Sequence, residues 1–332
     1  MLNAAVIGLG VGERHIAGYE AHPSARVVAL CDIDGEKREL AAQRYPERRI
    51  TGDAEQVLSD PDIHVVSVAS YDDAHFDQIM AALRADKHVF VEKPLVLKPD
   101  QARAVRQALR DRPHLRLSSN LILRKVPRFA DLRDRITAGE FGRIFSIEAS
   151  YHYGRLQKLT HGWRGTMPGH SVVLGGGIHM IDLAMWLIGD RITDVSAVGN
   201  RIAGDGSPHE NFDCVTASVR FAGGAIGQIS ANYGCVRPHF HSLSVFGTEA
   251  TFFNDPGDAI LYRSRDPETP PNQLDTAYPT AAKGDAIPSF IDAILGNGSP
   301  SVDVDDVFTC LSVCFAIEEA AHSGGTVNVE YL

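Results

Sequence analysis

A lysine stands in the middle of the tripeptide Glu92-Lys93-Pro94, directly after the apolar run His88-Val89-Phe90-Val91. In an open parallel sheet, ligands bind beyond the carboxyl ends of the strands, so a lysine at this point can reach a bound molecule. An ammonium group donates to hydroxyl or carbonyl oxygens, and desolvation brings a lysine towards the range useful for proton transfer. A lysine after a strand is more often solvated surface, so the position alone leaves both roles open.

A second proton-handling candidate is His179, which lies in a predicted helix over residues 177–187. Asp182 follows three residues later, a spacing that places both side chains on one face of the helix. Histidine titrates near neutral pH and can pass a proton on. The alternative is a helix histidine satisfied by a nearby backbone group.

Three glycines follow the first predicted strand in the run Gly8-Leu9-Gly10-Val11-Gly12. Glycines let the backbone approach a pyrophosphate, and the helix that follows supplies amide donors at its N-terminus. The third glycine comes one residue earlier than in the usual Gly-x-Gly-x-x-Gly spacing. The motif therefore needs support from its context.

That support comes from Asp32, which ends the second predicted strand. A carboxylate about twenty residues past the glycine turn accepts hydrogen bonds from the adenosine ribose hydroxyls and repels a 2′-phosphate. The next residues, Ile33 and Asp34, offer no arginine to receive such a phosphate. The sequence predicts NAD as the cofactor, with NADP less favoured, and a simple strand-end aspartate remains the alternative.

The composition excludes several other classes of protein. The chain has 332 residues and a formal net charge of −10, with no dense run of Lys and Arg, which argues against a nucleic-acid partner. The first apolar stretch lacks a basic lead-in and is soon interrupted by glycines, so it predicts neither a signal peptide nor a membrane span. Five cysteines without a Cys-x-x-Cys pair fit reduced thiols in the cytoplasm.

Short apolar strands alternate with helical patterns up to about Asn120. The predicted strands are Ala4–Gly8, Val27–Cys31, Val65–Ala69, Val89–Val91 and Leu115–Ser119. This alternation implies parallel pairing through helical crossovers, and the nearly unbroken Val, Ile and Ala runs indicate a sheet covered on both faces. We expect an α/β Rossmann domain, a doubly wound parallel sheet, over residues 1–121.

Beyond Asn120, strand follows strand with turn residues between them. The predicted strands are 143–153, 195–200, 214–221, 225–233, 242–246 and 250–253, with a hairpin turn at Gly223-Gly224. We expect residues 122–332 to form an α+β domain with a large, mostly antiparallel open-faced sheet. Further helices are predicted at 289–295 and 305–322, and an exposed loop at 266–279. Whether the C-terminal helix packs back on the first domain is left open.

Together these motifs resemble the Gfo/Idh/MocA oxidoreductase family, and the resemblance covers essentially the whole chain. It rests on the glycine turn, Asp32, Ser70-Tyr71-Asp72-Asp73-Ala74-His75, Glu92-Lys93-Pro94 and the run from Gly175 to Asp182. Members join a Rossmann domain to an open-faced sheet and use the motif lysine with a helix histidine in acid-base chemistry on sugars or cyclitols. The resemblance implies that Lys93 is the acid-base residue and His179 its partner.

The resemblance also implies cofactor contacts by position. They are Gly8, Leu9, Gly10, Val11, Gly12, Asp32, Ile33, Ser70, Tyr71, His75, Glu92 and Lys93. Polar and aromatic residues that suit carbohydrate recognition predict the substrate contacts. They are Lys93, Arg124, Tyr151, Trp163, Arg164, His179 and Asp182. His239 and His241 alternate on one strand, but no third ligand accompanies them, so no metal is predicted.

One departure from the family pattern concerns the residue four positions before His179. Many members have an aspartate there, and this chain has Gly175. The carboxylate that orients the histidine or binds the substrate hydroxyl is therefore missing or supplied from elsewhere, with Asp182 as a weaker candidate.

We therefore expect an NAD(H)-dependent oxidoreductase that transfers a hydride between nicotinamide and a hydroxyl or carbonyl carbon of a sugar, sugar derivative or cyclitol. The resemblance implies a homodimer or homotetramer formed through the second-domain sheet, and no nucleic-acid or membrane partner is expected. Two alternatives stay open: a reductase of a non-sugar carbonyl, and a non-catalytic NAD-binding sensor or scaffold of the same fold. An intact lysine and histidine disfavour the sensor, which has no need of an acid-base pair.

Overall fold

The computed structural model describes residues 1–332, which form two compact units. The first unit contains Met1–Lys125, Ala281–Phe308 and Leu332, and the second contains Val126–Thr280 and Thr309–Tyr331. The sequence pattern predicts a single boundary after residue 121, with all of residues 122–332 in the second domain. The structure differs because residues 281–308 return to the first unit.

The first unit is built on a six-stranded sheet with the order β3-β2-β1-β4-β5-β6. Its strands are β1 (Leu2–Ile7), β2 (Ala25–Cys31), β3 (Arg49–Thr51), β4 (Val65–Val68), β5 (His88–Val91) and β6 (Leu117–Ser119). Its helices are α1 (His15–Glu20), α2 (Gly35–Arg44), α3 (Glu55–Leu58), α4 (His75–Arg84), α5 (Pro99–Arg110) and α10 (Ile287–Ile294). All neighbouring strands pair in parallel, which confirms the doubly wound sheet. The short strand β3 was not predicted.

The strand order reverses between β1 and β4, because the chain proceeds outward from β1 in one direction and from β4 in the other. A crevice opens beyond the carboxyl ends of the strands at such a reversal. The residues of β4 are all buried, as expected for a central strand covered by helices on both faces. The glycine turn after β1 and the tripeptide after β5 therefore lie at the same edge of the sheet.

The returning segment packs into the core of the first unit through α10. Ile287, Phe290 and Ile291 are almost fully buried in the same cluster as the apolar residues of β1 and α1. The chain reaches α10 by a close backbone approach, since a Cβ atom on Gly18 would lie 2.3 Å from the carbonyl oxygen of Gly284. Apolar burial of this kind explains why the unit takes in a segment so distant in sequence.

The second unit is built on a nine-stranded sheet with the order β14-β13-β12-β11-β7-β10-β9-β8-β15. Its strands are β7 (Ile144–His152), β8 (Ile192–Asn200), β9 (Cys214–Phe221), β10 (Ile226–Asn232), β11 (Phe240–Gly247), β12 (Thr251–Asn254), β13 (Ala259–Tyr262), β14 (Asn272–Leu274) and β15 (Thr326–Asn328). The pairing is antiparallel except between β7 and β10, which confirms the mostly antiparallel sheet. The predicted hairpin turn is present, because Gly224 has a φ of +90° between β9 and β10.

Helices cover one face of this sheet. They are α6 (Pro127–Thr137), α7 (Gln157–Thr160), α8 (Trp163–Thr166), a π-helical turn (Val173–Gly177), α9 (Ile178–Ile188) and, from residue 309 onward, α11 (Val304–Ser323). Alternate strand residues such as Ile147 and Ala149 are fully buried on this face, whereas Glu148 is exposed on the other. The predicted loop at 266–279 contains the short strand β14 and ends with Tyr278 bonded to His241, so only part of it is loop.

None of the helices combines the length and the apolar content needed to cross a lipid bilayer. The chain contains no group of three or more His, Cys, Asp or Glu side chains arranged to hold a metal ion. All five cysteines are free thiols, and Cys310 and Cys314 are buried.

Candidate active site

The glycine turn after β1 has no space for a larger residue at its first and third positions. Gly8 has a φ of +93°, and a Cβ atom there would lie 2.3 Å from the carbonyl oxygen of Ala69. A Cβ atom on Gly12 would lie 2.8 Å from the Ala69 side chain. At Gly10 no atom lies within 4 Å of that position, so the backbone is open to an approaching ligand. The shortened spacing therefore still forms a compact turn with one accessible backbone face.

Asp32 fixes this turn to the end of β2. One carboxylate oxygen accepts a hydrogen bond from the backbone N–H of Leu9 at 2.6 Å, and the other accepts one from Asp34 at 2.9 Å. Lys37 Nζ lies 3.5 Å from the carboxylate. Each carboxylate oxygen has two lone pairs, so both can still accept from a ribose hydroxyl. The structure gives Asp32 a structural role that is compatible with the predicted cofactor contact.

Basic side chains lie near Asp32, although the two residues that follow it in the sequence, Ile33 and Asp34, are not basic. Arg38 donates from Nη1 to the carbonyl oxygens of Asp32 at 2.9 Å and Ile33 at 2.8 Å. The side chains of Ile33 and Val11, predicted to contact the cofactor, are exposed at this edge. Positive charges next to the Asp32 carboxylate weaken its repulsion of a 2′-phosphate on the adenosine ribose.

His75 connects two predicted motifs from the interior of the first unit. It is fully buried, with Nδ1 2.8 Å from the carbonyl oxygen of Pro94 and Nε2 3.3 Å from that of Ser70. The Lys93-Pro94 peptide bond is cis. The position favours a role in holding the loops rather than direct contact with a dinucleotide. Tyr71, by contrast, is exposed.

A buried polar network holds Glu92, the residue before the candidate lysine. Glu92 Oε1 accepts from Asn120 Nδ2 at 2.7 Å and lies 3.1 Å from His15 Nε2. His15 Nδ1 lies 2.8 Å from the Ser67 hydroxyl, so a neutral imidazole can donate to the carboxylate while accepting from the serine. Asn120 also donates to the carbonyl oxygen of Lys283 in the returning segment at 3.0 Å.

Glu92 remains ionised in spite of its burial. Desolvation acts to raise its pKa, but the hydrogen bond from His15 and the positive charges of Lys283 and Lys93 more than offset this and hold the pKa well below its usual range. Lys93, half-buried at the carboxyl end of β5, therefore stands next to a fixed negative charge. The buried network thus fixes the backbone directly before Lys93.

Arg124, predicted to contact the substrate, is held within the first unit. Its Nη1 lies 2.8 Å from a carboxylate oxygen of Asp306 and 3.3 Å from the carbonyl oxygen of Ser301. The Arg124 side chain is 8% exposed and that of Asp306 is 33% exposed, so the arginine is the buried partner of this ion pair. These contacts favour a structural role for Arg124.

In the second unit, aromatic and histidine rings gather on the covered face of the sheet around Tyr151. His179 on α9 stacks on the Tyr151 ring at a centroid distance of 6.0 Å, and His239 and His241 lie at 5.0 and 5.3 Å. His241 is anchored by its backbone N–H, which donates to the Tyr278 hydroxyl at 2.9 Å. Burial and the neighbouring Tyr153 raise the pKa of Tyr151, so its hydroxyl stays protonated near neutral pH.

Glycines bring α9 this close to the sheet. A Cβ atom on Gly176 would lie 2.5 Å from the Tyr151 ring and 2.8 Å from the Tyr233 hydroxyl. A Cβ atom on Gly175 would lie 3.1 Å from the same hydroxyl. Both glycines belong to the π-helical turn Val173–Gly177, and π-helical turns are frequent at functional sites. His179 is the second residue of α9, which follows this turn directly.

The other predicted substrate residues of the second unit lie on different elements. Arg164 stacks over the Trp163 ring at 4.3 Å on α8, and Trp163 meets His170 edge-on at 5.9 Å. The charge of Arg164 acts on Tyr151, which places it in the same region. Asp182 is 1% exposed on α9, a buried carboxylate one helical turn beyond His179.

Two family models match this chain. The model of the oxidoreductase family with an NAD-binding Rossmann fold matches residues 2–120, and the model of the GFO/IDH/MocA C-terminal domain matches residues 129–253. The chain belongs to the Gfo/Idh/MocA oxidoreductase family. Its first unit is accordingly an NAD-binding Rossmann domain.

Similar proteins align with most of this Gfo/Idh/MocA chain. A 1,5-anhydro-D-fructose reductase of Ensifer adhaerens is 28% identical over 96% of both chains. The scyllo-inositol 2-dehydrogenase (NAD(+)) of Bacillus subtilis is 28% identical over 76% of this chain and 73% of its own. Among solved structures, a levoglucosan dehydrogenase in complex with NADH superposes with a TM-score of 0.86, is 25% identical and covers 100% of both chains.

Several residues of this Gfo/Idh/MocA site were not assigned a role from the sequence. His15, three residues past Gly12, and Lys283, from a distant segment, both act on Glu92. Tyr233 lies directly after β10 and reaches the glycines of the π-helical turn. Of these residues, only His15 could have been found from the sequence, as a histidine on the inward face of the first helix. The contacts of Lys283 and Tyr233 depend on the fold.

We predict that Glu92→Gln lowers the free energy of unfolding by about 1–3 kcal/mol at neutral pH, because the buried donors lose a charged acceptor. The native-state pKa of Glu92 is depressed, so its contribution is present above the ordinary value of 4.5 and is lost as the pH falls towards the lower native value. Urea unfolding of both proteins at neutral and acidic pH measures this.

The control is Glu39→Gln, which neutralises an exposed carboxylate on α2. It should leave the free energy of unfolding within about 0.5 kcal/mol of the wild type. The role of the network would be contradicted if wild type and Glu92→Gln had the same free energy of unfolding at neutral pH, or if the difference between them grew as the pH fell.

Proposed function

We propose that this chain is an NAD(H)-dependent oxidoreductase of the cytoplasm that transfers a hydride between nicotinamide and a hydroxyl or carbonyl carbon of a sugar, sugar derivative or cyclitol. The observation that carries the proposal is the position of Lys93, at the carboxyl end of β5 and on the same sheet edge as the glycine turn. A proton-transferring group at this edge is what hydride transfer to or from an alcohol carbon requires.

The residues of the first unit fit a dinucleotide. Gly10 leaves its backbone open, and Asp32 keeps lone pairs for ribose hydroxyls. The exposed side chains of Val11 and Ile33 offer apolar surface at the same edge. When bound, NAD supplies the hydride acceptor or donor, and the protein contributes binding, orientation and proton transfer.

The proton step belongs to Lys93 in this proposal. In oxidation, Lys93 accepts the proton of the substrate hydroxyl as the hydride leaves the same carbon; in reduction, it donates a proton to the carbonyl oxygen. The buried network around Glu92 fixes the backbone directly before the lysine. His179 is a second proton-handling candidate, and its ring stacks on that of Tyr151 within the second unit.

The substrate class is supported by the ring-rich face of the second unit. Tyr151, Tyr153, His239 and His241 supply aromatic surface with polar edges, which suits sugar rings and their hydroxyls. The names of the similar proteins agree, since anhydrofructose, scyllo-inositol and levoglucosan are all polyhydroxylated rings.

A substrate panel tests the function. We expect one or more sugars or cyclitols to give NADH with NAD, or to consume NADH in the reverse direction, as measured by NADH absorbance. NAD binding without turnover on any sugar, cyclitol or simple carbonyl would instead favour the sensor or scaffold. Turnover confined to non-sugar carbonyls would favour the alternative reductase.

For the proton step, we predict that Lys93→Met lowers kcat by about 100-fold or more, because the variant cannot transfer the proton. NAD affinity should stay near that of the wild type. The matched control is Lys98→Met, which removes an exposed lysine at the start of α5 and should leave kcat unchanged. Steady-state kinetics and calorimetric NAD binding give both quantities; unchanged turnover in Lys93→Met would remove Lys93 from this role.

We also propose that the open face of the nine-stranded sheet pairs with a second copy of the chain. Phe246, Phe253 and Tyr262 form an aromatic row on this face, with centroid distances of 5.7 and 6.0 Å. Ile226 is 54% exposed on the same face. The small side chains of Ser150 and Ser230 are hydrogen-bonded to each other on the same face. An exposed apolar row on a sheet suits a symmetric interface.

Phe253→Asp should therefore shift the chain from dimer or tetramer towards monomer, because it places a charge in the middle of the aromatic row. Analytical ultracentrifugation measures the change. Val236→Asp, at a fully exposed apolar position outside the strands, is the control and should keep the wild-type state. A monomeric wild type would contradict the proposed interface.

A further inference from the structure

The space beside Gly175 is filled by two other side chains of the second unit. The nearest atoms to a Cβ placed there are His170 Cε1 and the Tyr233 hydroxyl, both at 3.1 Å. Gly175 is not among the residues with positive φ, so its backbone conformation does not require glycine. An aspartate is disfavoured at this position because its side chain would enter the volume that His170 and Tyr233 occupy.

Tyr233 is held rigidly in this position. Its backbone N–H donates to the carbonyl oxygen of Asp213 at 2.9 Å, and its ring lies 4.3 Å from that of Tyr153 and 6.0 Å from that of Tyr151. The side chain is 2% exposed. A phenol fixed on its ring by such contacts directs its hydroxyl with little loss of rotamer freedom on binding.

His170 supports the same spot from the other side. It is 1% exposed, and its ring meets those of Trp163 at 5.9 Å and His209 at 6.1 Å. Its carbonyl oxygen accepts from Asn211 Nδ2 at 2.8 Å, which anchors the segment before the π-helical turn. Two polar rings thus converge on the place of a single missing carboxylate.

We propose that Tyr233, supported by His170, is the positioning residue that replaces the carboxylate absent at Gly175. This inference rests on the proposed function. The Tyr233 hydroxyl orients the π-helical turn and, through it, His179. A phenol hydroxyl can both donate and accept, whereas a carboxylate only accepts, so the substitution also removes a negative charge from this part of the site.

The first test is Tyr233→Phe, which removes the hydroxyl and keeps the ring contacts. We expect kcat to fall about 10- to 100-fold, because the transition state loses the stabilisation that the positioned His179 provides. Substrate KM should change less than about threefold and NAD affinity should be unchanged. The matched control is Tyr331→Phe in the same unit, which removes a hydroxyl that donates to the carbonyl oxygen of Ile192 at 2.6 Å, outside the ring cluster, and should keep kcat within about twofold.

A rescue separates positioning from mere packing. Gly175→Asp alone should lower kcat, because its side chain meets the Tyr233 hydroxyl and His170. Added to Tyr233→Phe, the same Gly175→Asp change should recover about tenfold in kcat, because a carboxylate then occupies the vacated place. A purely structural tyrosine would give no recovery, since the aspartate would only add crowding. Thermal melting of all variants checks that they fold.

Three results would overturn the inference: Tyr233→Phe with wild-type kcat, an equal loss in Tyr331→Phe, or a double variant no faster than Tyr233→Phe. Failure of the proposed function can be told apart from failure of this inference alone, because the wild type would then turn over no sugar or cyclitol. That result would overturn both the proposed function and the inference.

Discussion

The burial of one carboxylate, Glu92, constrains the whole first unit. A charge removed from water is costly unless donors surround it. Here the donors are His15 on α1 and Asn120 after β6, and Asn120 also bonds the returning segment at Lys283. The first helix, two strand ends and a segment distant in sequence must therefore meet at one point. That point lies next to Lys93, so the same contacts that stabilise the fold also position the candidate acid-base group.

A second constraint, steric rather than electrostatic, shapes the second unit. The glycines of the π-helical turn allow the chain to lie directly on the rings of Tyr151 and Tyr233. A larger residue at position 176 would push α9 away from the sheet and carry His179 with it. Beside Gly175, the rings of His170 and Tyr233 occupy the space that a larger side chain would need.

The sequence predicted the features that depend on local patterns. Apolar periodicity indicated the parallel sheet, and the glycine turn, Asp32 and the strand-end lysine indicated a dinucleotide site. It did not predict β13, β14 and β15, which are short strands with weak patterns; β14 and β15 are the edges of the sheet and β13 lies next to β14. The return of residues 281–308 to the first unit was missed because it depends on long-range apolar packing of α10. Arg124 and His75 looked like ligand contacts, and only the structure shows their bonds to Asp306 and Pro94.

The central claim is that this chain moves a hydride from a sugar-like carbon to NAD. Isotope transfer tests it most directly: a sugar or cyclitol accepted by the enzyme is deuterated at the carbon that is oxidised, and the NADH formed is analysed by mass spectrometry. The account predicts that the deuterium is recovered in the nicotinamide ring and that the transfer is slower than with the unlabelled substrate. NADH that carries no deuterium, or deuterium released to water, would contradict it.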